Sequence, residues 1–254
     1  MSVAPLQRTA SSPHRGSVEV ATLAALYLVY ELVRGQGNAT VSAARGHTEW
    51  IVALERHTHV FGERAVQHAA DAVPAVPTLL GIAYIVLHFA GTAAFLVWLY
   101  RRHRERFPVV RNTMIAATGL ALSFYVLFPV APPRLAALGF VDTVSHSAKV
   151  NLSSDLLGSL YNPFAAVPSL HFGYALLVGV TLASVARSPF VRVLGAIYPA
   201  VMLFIIVATG NHFFFDAAAG GLTIGVGYVI ARWVASARRE PRRRVAAGSA
   251  AVTC

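Results

Sequence analysis

An all-α helical bundle embedded in a lipid bilayer is the fold class this sequence predicts, and three observations predict it. Hydrophobic residues make up 56% of the chain and charged ones 13%, with a mean hydropathy of +0.59, outside the balance of a soluble domain. Four stretches, 73–100, 112–133, 156–186 and 193–215, contain no Asp, Glu, Lys or Arg, and each can supply the ~20 apolar residues that a helix needs to cross the hydrocarbon. The arginines behind the net charge of +10 collect beside apolar stretches, as in Arg101-Arg102-His103-Arg104 and Arg242-Arg243-Arg244. In that setting they set topology and touch lipid headgroups, and no basic groove with interleaved aromatics points to nucleic acid.

The first element is a span over 18–33, the weakest of the set because Glu19 and Glu31 leave a short apolar centre. A retained span is expected, the alternative being cleavage at Val41-Ser42-Ala43. Residues 48–72 then read as one amphipathic helix lying in the interface, with Trp50, Leu54, Phe61, Ala65 and Ala69 on one side and Arg56, Glu63, Arg64, Gln67 and Asp71 on the other. Five further spans follow, at 76–100, 112–131, 168–186, 190–209 and 212–234. About six transmembrane helices and one interfacial helix thus form a single membrane domain over 18–235, between a tail at 1–17 and a basic tail at 236–254. A domain that fills the chain leaves chemistry nowhere to sit but on the bundle, and the single cysteine, Cys254, excludes a disulfide framework or a thiolate cluster.

Assigning the connections alternately puts all but six of the 21 basic residues on one side, which the positive-inside rule makes cytoplasmic together with both termini. The remaining six are Arg34, Arg45, Arg56, Arg64, Arg134 and Lys149. Drawn without reference to chemistry, this topology brings Arg134, His171 and His212 to the non-cytoplasmic ends of their spans. Ionisable groups at membrane depth are costly and mark function.

Three stretches carry that signal. In Gly210-Asn211-His212-Phe213-Phe214-Phe215-Asp216, the four-residue spacing stacks His212 and Asp216 on one helix face. The carboxylate can then take the N–H of one imidazole nitrogen and leave the other available as a nucleophile. In Ala166-Val167-Pro168-Ser169-Leu170-His171, a proline opens a long apolar helix whose free N–H groups, with Ser169 beside them, form an anion site next to His171. In Phe128-Pro129-Val130-Ala131-Pro132-Pro133-Arg134, prolines end a span and present a guanidinium suited to bidentate phosphate contact. Of the other histidines, His57, His59 and His68 fall on the interfacial helix and His103 in a basic turn. His88 falls mid-span, as a core hydrogen-bonding group or the lining of a polar channel.

Together these stretches resemble the type 2 phosphatidic acid phosphatase superfamily, most closely its branch of inositol phosphorylceramide synthases and related bacterial membrane proteins. The resemblance rests on Pro168-Ser169-Leu170-His171, on Gly210-Asn211-His212 with Asp216, and on Ala131-Pro132-Pro133-Arg134, and it covers about 76–234. It implies an integral membrane lipid-phosphate phosphatase or phosphotransferase without cofactor or metal. His212 attacks phosphorus, Asp216 orients it, His171 protonates the leaving oxygen, and water or an alcohol such as a polyol accepts the phosphoryl group. Arg134, Ser169, Asn211 and Lys149 are the candidate phosphate contacts, and the partners are a lipid phosphate and the surrounding membrane lipids.

The sequence departs from the pattern at Leu170, where many members have glycine, and at Ile206, where a phosphate-binding arginine is expected. This favours the phosphotransferase-like branch, with Lys149 and His146 as candidate substitutes for the arginine and Asp142, Asp155 and Tyr161 as candidate headgroup contacts. Two other readings compete with it: a metal-dependent hydrolase ligated by His171, His212 and Asp216, and a transporter, which calls for ionisable residues nearer mid-membrane.

Overall fold

The computed structural model describes residues 13–35, 41–143 and 163–251, with side chains over 16–28, 41–143 and 163–237. Among the described residues it is an all-α bundle. A helix stands at each predicted span: α1 (Pro13–Gly35), α4 (Val76–Val86) continuing into α5 (Thr92–Arg102), α6 (Phe107–Leu127), α7 (Leu170–Val185), α8 (Pro189–Ala208) and α9 (Phe214–Ala251). Four segments are long and apolar enough to cross a membrane: Val76–Arg102, Phe107–Leu127, Pro189–Ala208 and Phe214–Ala237. Gly16–Leu28 and Leu170–Val185 are shorter apolar helices. Large apolar side chains such as Leu127, Phe190, Leu222 and Trp233 stay exposed on the outer faces, as lipid-facing surfaces require.

The core is built on α7, which packs against both α8 and α9, while α9 also packs against α6. Small residues let these backbones approach. A Cβ on Gly179 would run into the Gly195 carbonyl and Pro199, and one on Gly227 would meet the Thr113 carbonyl at 2.9 Å. Where helices cannot gain hydrophobic free energy by leaving water, such close packing holds a bundle together. Glu19, the residue that weakened the first span in sequence, pairs with Arg111 of α6, so its charge is met by a partner.

The segment 48–72 differs from its expected form. It is two helices, α2 (Val41–His57) and α3 (Glu63–Asp71), rather than one, and some of its polar residues point inward while Arg56, Arg64 and Asp71 stay exposed. Glu55, Glu63 and Gln67 are buried, whereas Trp50 is half exposed and Ala65 and Ala69 are exposed. The physical reason lies in the loops beneath it. Gln67 accepts from the Val141 N–H and donates to the carbonyls of Val141 and Ala208, supplying partners that buried backbone groups must have. The histidines of this segment, His57, His59 and His68, are exposed as expected.

Between α4 and α5 the helix widens into a π-turn, Leu87–Gly91, whose Leu87 carbonyl accepts from the Tyr198 hydroxyl. Such turns gather at functional sites because they turn side chains out of the α register. Here the side chain concerned is His88.

Candidate active site

After α8, the chain reverses at Gly210, whose φ of +67° suits a residue without a Cβ. The turn then delivers Asn211 and His212 before α9 begins. His212 Nδ1 lies 3.1 Å from Asp216 Oδ2, and the same oxygen accepts from the Phe213 N–H at 2.9 Å. Asp216 is fully buried and His212 nearly so. The spacing read from sequence therefore produces a fixed imidazole–carboxylate pair, with His212 Nδ1 directed at the carboxylate.

Ser169 caps α7, its hydroxyl accepting from the Phe172 N–H, and its own N–H donates to the Asp216 carbonyl at 2.9 Å. That bond ties the start of α7 to the first turn of α9. It exists because Gly220 lets the helices touch: a Cβ there would overlap the Ser169 carbonyl. His171, the second residue of α7, faces His212 with ring centroids 5.9 Å apart. Tyr84 and His88, four residues apart, lie against the His171 ring at centroid distances of 4.1 and 3.8 Å, and the Tyr84 hydroxyl is 3.4 Å from His171 Nδ1.

Arg134 sits in a short 3-10 turn, Pro133–Leu135, that follows the proline-broken end of α6. Its N–H donates to the Gly210 carbonyl, its Nη1 to Asn211 Oδ1 at 3.0 Å and its Nε to Asp142 at 3.2 Å. Asn211 is held in turn by Thr209, to which its Nδ2 donates. A cavity of about 540 Å³ opens on this group and is lined at that end by Arg134, His171, Asn211 and His212. From there it runs down between α1, α4, α5 and α6 past Tyr27, Phe89, Leu96 and Met114. Polar groups converge at one end and apolar walls extend away from it, the form of a site for an amphiphile.

The sequence matches the PAP2 superfamily over residues 49–230. The chain belongs to the PAP2 superfamily, the type 2 phosphatidic acid phosphatase superfamily. No curated protein and no solved structure matches it. The PAP2 match takes in α3 through the first part of α9, to Ile230, and with them every site residue described above.

Of the candidate residues, His212, Asp216, His171, Arg134, Asn211 and Ser169 are brought together. Ser169 is fully buried under the site, while the cavity wall passes through Leu170 and His171. Asp142 is engaged by Arg134. Lys149, His146, Asp155 and Tyr161 lie outside the described residues. Ile206 is fully buried in the core, and its carbonyl accepts from the N–H groups of Asn211 and His212, so this position shapes the turn. Among the described residues, no three His, Cys, Asp or Glu side chains are grouped so as to hold a metal ion.

Sequence reasoning missed Tyr84, Glu55 and Glu63. Tyr84 and His88 carried a usable signal, two polar rings four residues apart in a charge-free span. The two glutamates carried a misleading one, because a helical wheel assigns charged faces to water.

Proposed function

We propose that this chain is a membrane lipid-phosphate phosphatase or phosphotransferase working through a phosphohistidine on His212. The observation that carries this reading is the His212–Asp216 pair facing His171 across the mouth of an apolar cavity. With Nδ1–H donated to Asp216, the His212 Nε2 lone pair attacks phosphorus. The bond from phosphorus to the leaving oxygen breaks, and that oxygen takes a proton from His171. Arg134 and Asn211 hold non-bridging oxygens as charge builds in the five-coordinate state, and the carboxylate of Asp216 offsets the cation on His212. Neutral His171 then takes a proton from water or an alcohol, whose oxygen attacks the phosphohistidine and releases His212. Ser169 acts by capping α7 and holding His171 in place.

The substrate class is a lipid monophosphate or a polyprenyl phosphate or diphosphate, with one apolar chain lying in the cavity past Tyr27 and Leu96. The deciding experiment presents a panel of such lipids to the purified chain, with and without inositol and other polyols, following phosphate release and new lipid products. Turnover is expected to persist in excess chelator and to fall with micromolar to millimolar vanadate, a mimic of the five-coordinate state. Loss in chelator with recovery on adding zinc or manganese would transfer the three residues to a metal-dependent hydrolase. Phosphate release unaffected by any alcohol makes water the acceptor, and a polyol-dependent lipid product makes the chain a phosphotransferase.

Both termini are assigned to the cytoplasm and the site to the opposite face, on the charge asymmetry of the connections. In a Cys254→Ser background, Ala72→Cys is expected to react with an impermeant thiol reagent in intact cells or spheroplasts. Ser236→Cys is expected to react only after lysis. The reverse pattern would turn the protein over.

A further inference from the structure

Above the catalytic turn, two buried carboxylates from separate helices close on consecutive backbone amides. Glu55 of α2 accepts from the Phe215 N–H at 2.7 Å, and Glu63 of α3 accepts from the Phe214 N–H at 3.0 Å. Asp216 accepts from the Phe213 N–H. Three successive N–H groups at the start of α9 therefore end on three carboxylates, each of them 3% exposed or less. The first four amides of a helix need partners, and one side chain commonly supplies them. Glu63 also binds the Gly62 N–H through its second oxygen, which fixes its rotamer.

The charges do not balance if all three are ionised. Among the described residues no Lys or Arg forms an ion pair with Glu55 or Glu63. What offsets them is the N–H groups and the positive end of the α9 dipole, equivalent to roughly half a charge. Burial, followed by hydrogen bonding with Glu63, pushes the Glu55 carboxyl up to about 8. At neutral pH it keeps its proton. The titratable groups that face it are Glu63 of α3 and Asp216 of α9, with His212 behind Asp216.

We infer that Glu55 and Glu63 are positioning residues: a two-carboxylate latch that seats the turn carrying His212 by holding the first amides of α9. This rests on the reading of His212 as nucleophile. It gives the extramembrane hairpin α2–α3 a part in turnover through Phe214 and Phe215, with no contact to substrate. Above the pH at which Glu55 ionises, a second charge enters a site that lacks a cation for it, and the latch loosens.

The test compares Glu55→Ala, Glu55→Gln, Glu63→Ala and Glu63→Gln in the purified full chain by two readouts. Amide hydrogen exchange over residues 212–217 reads the latch whatever the substrate is. Both alanine variants are expected to raise exchange there at least ~10-fold, and both glutamine variants, which keep an acceptor, to restore protection. With a lipid monophosphate turned over by the wild type, Glu63→Ala is expected to lower kcat ~10- to 100-fold with KM within ~3-fold, the scale of a misplaced catalytic group. Glutamine is expected to recover most of that loss. Glu55→Gln is expected to move the alkaline fall of kcat upward by about one pH unit relative to wild type, because the group that ionises there is gone. Unchanged exchange in both alanine variants, or an unmoved alkaline limb in Glu55→Gln, overturns the latch. If that happens while His212→Ala is inactive, the latch alone is wrong. If His212→Ala is active, the phosphohistidine reading fails independently of the exchange result.

Discussion

Replacing His212 by alanine is expected to lower turnover by at least ~10³-fold and to leave the protein folded. A nucleophile cannot be supplied by a neighbour, and at ~1.4 kcal/mol per factor of ten the loss corresponds to ~4 kcal/mol or more of transition-state stabilisation. The fold loses far less. The hydrogen bond from the His212 side chain to Asp216 is worth ~1 kcal/mol net, and Asp216 keeps the Phe213 N–H as a partner. Asp216→Asn is expected to cost ~10²-fold or more, because the amide keeps the shape and loses the charge that offsets an imidazole carrying a phosphoryl group. The check is a rate measured beside a thermal transition on the same sample. More than about a tenth of the wild-type rate in His212→Ala sinks the assignment.

Gly220→Ala is expected to have the second largest effect, although the residue touches no substrate. Its new Cβ would overlap the backbone of Ser169, which cannot rotate away as a side chain can, so α7 and α9 must separate. Separation strains the Ser169 N–H bond to the Asp216 carbonyl and shifts His171 relative to His212. A displacement of ~1 Å at a catalytic group can cost ~10²-fold in rate, and overpacking of this kind costs ~1–3 kcal/mol of stability. Gly225→Ala, on the same helix with nothing near its Cβ, is the control and is expected to leave both quantities unchanged. Wild-type activity and stability in Gly220→Ala would mean that the α7–α9 contact does not set the site.

The parts of this site that were legible in sequence are those fixed by local spacing. His212 and Asp216 meet because a helix brings residues four apart together, and Pro168 with Ser169 announces the start of α7. Arg134 was legible as the cation after a run of prolines, though its engagement with Asp142 and Asn211 was not, since these are loop contacts settled by tertiary packing. The membrane bundle was legible because a long apolar stretch without charge has few places to go except across a bilayer, and four of the six expected spans are helices long and apolar enough to cross one. Glu55 and Glu63 were hidden for the opposite reason. A helical wheel says which residues share a face and nothing about what covers it, and here these two carboxylates lie on the first amides of another helix. His88 was placed mid-span correctly, but its stacking on His171 depends on a π-turn that no periodicity signals.

A covalent phosphoryl group on His212 can be trapped. Protein turning over a labelled lipid phosphate is quenched, digested and mapped. A phosphoryl adduct is expected that is labile to acid and stable to base, on the peptide holding His212, absent from His212→Ala and formed at a rate no slower than turnover. Turnover without any such adduct, or an adduct on another residue that forms at the turnover rate, would contradict a phosphohistidine on His212.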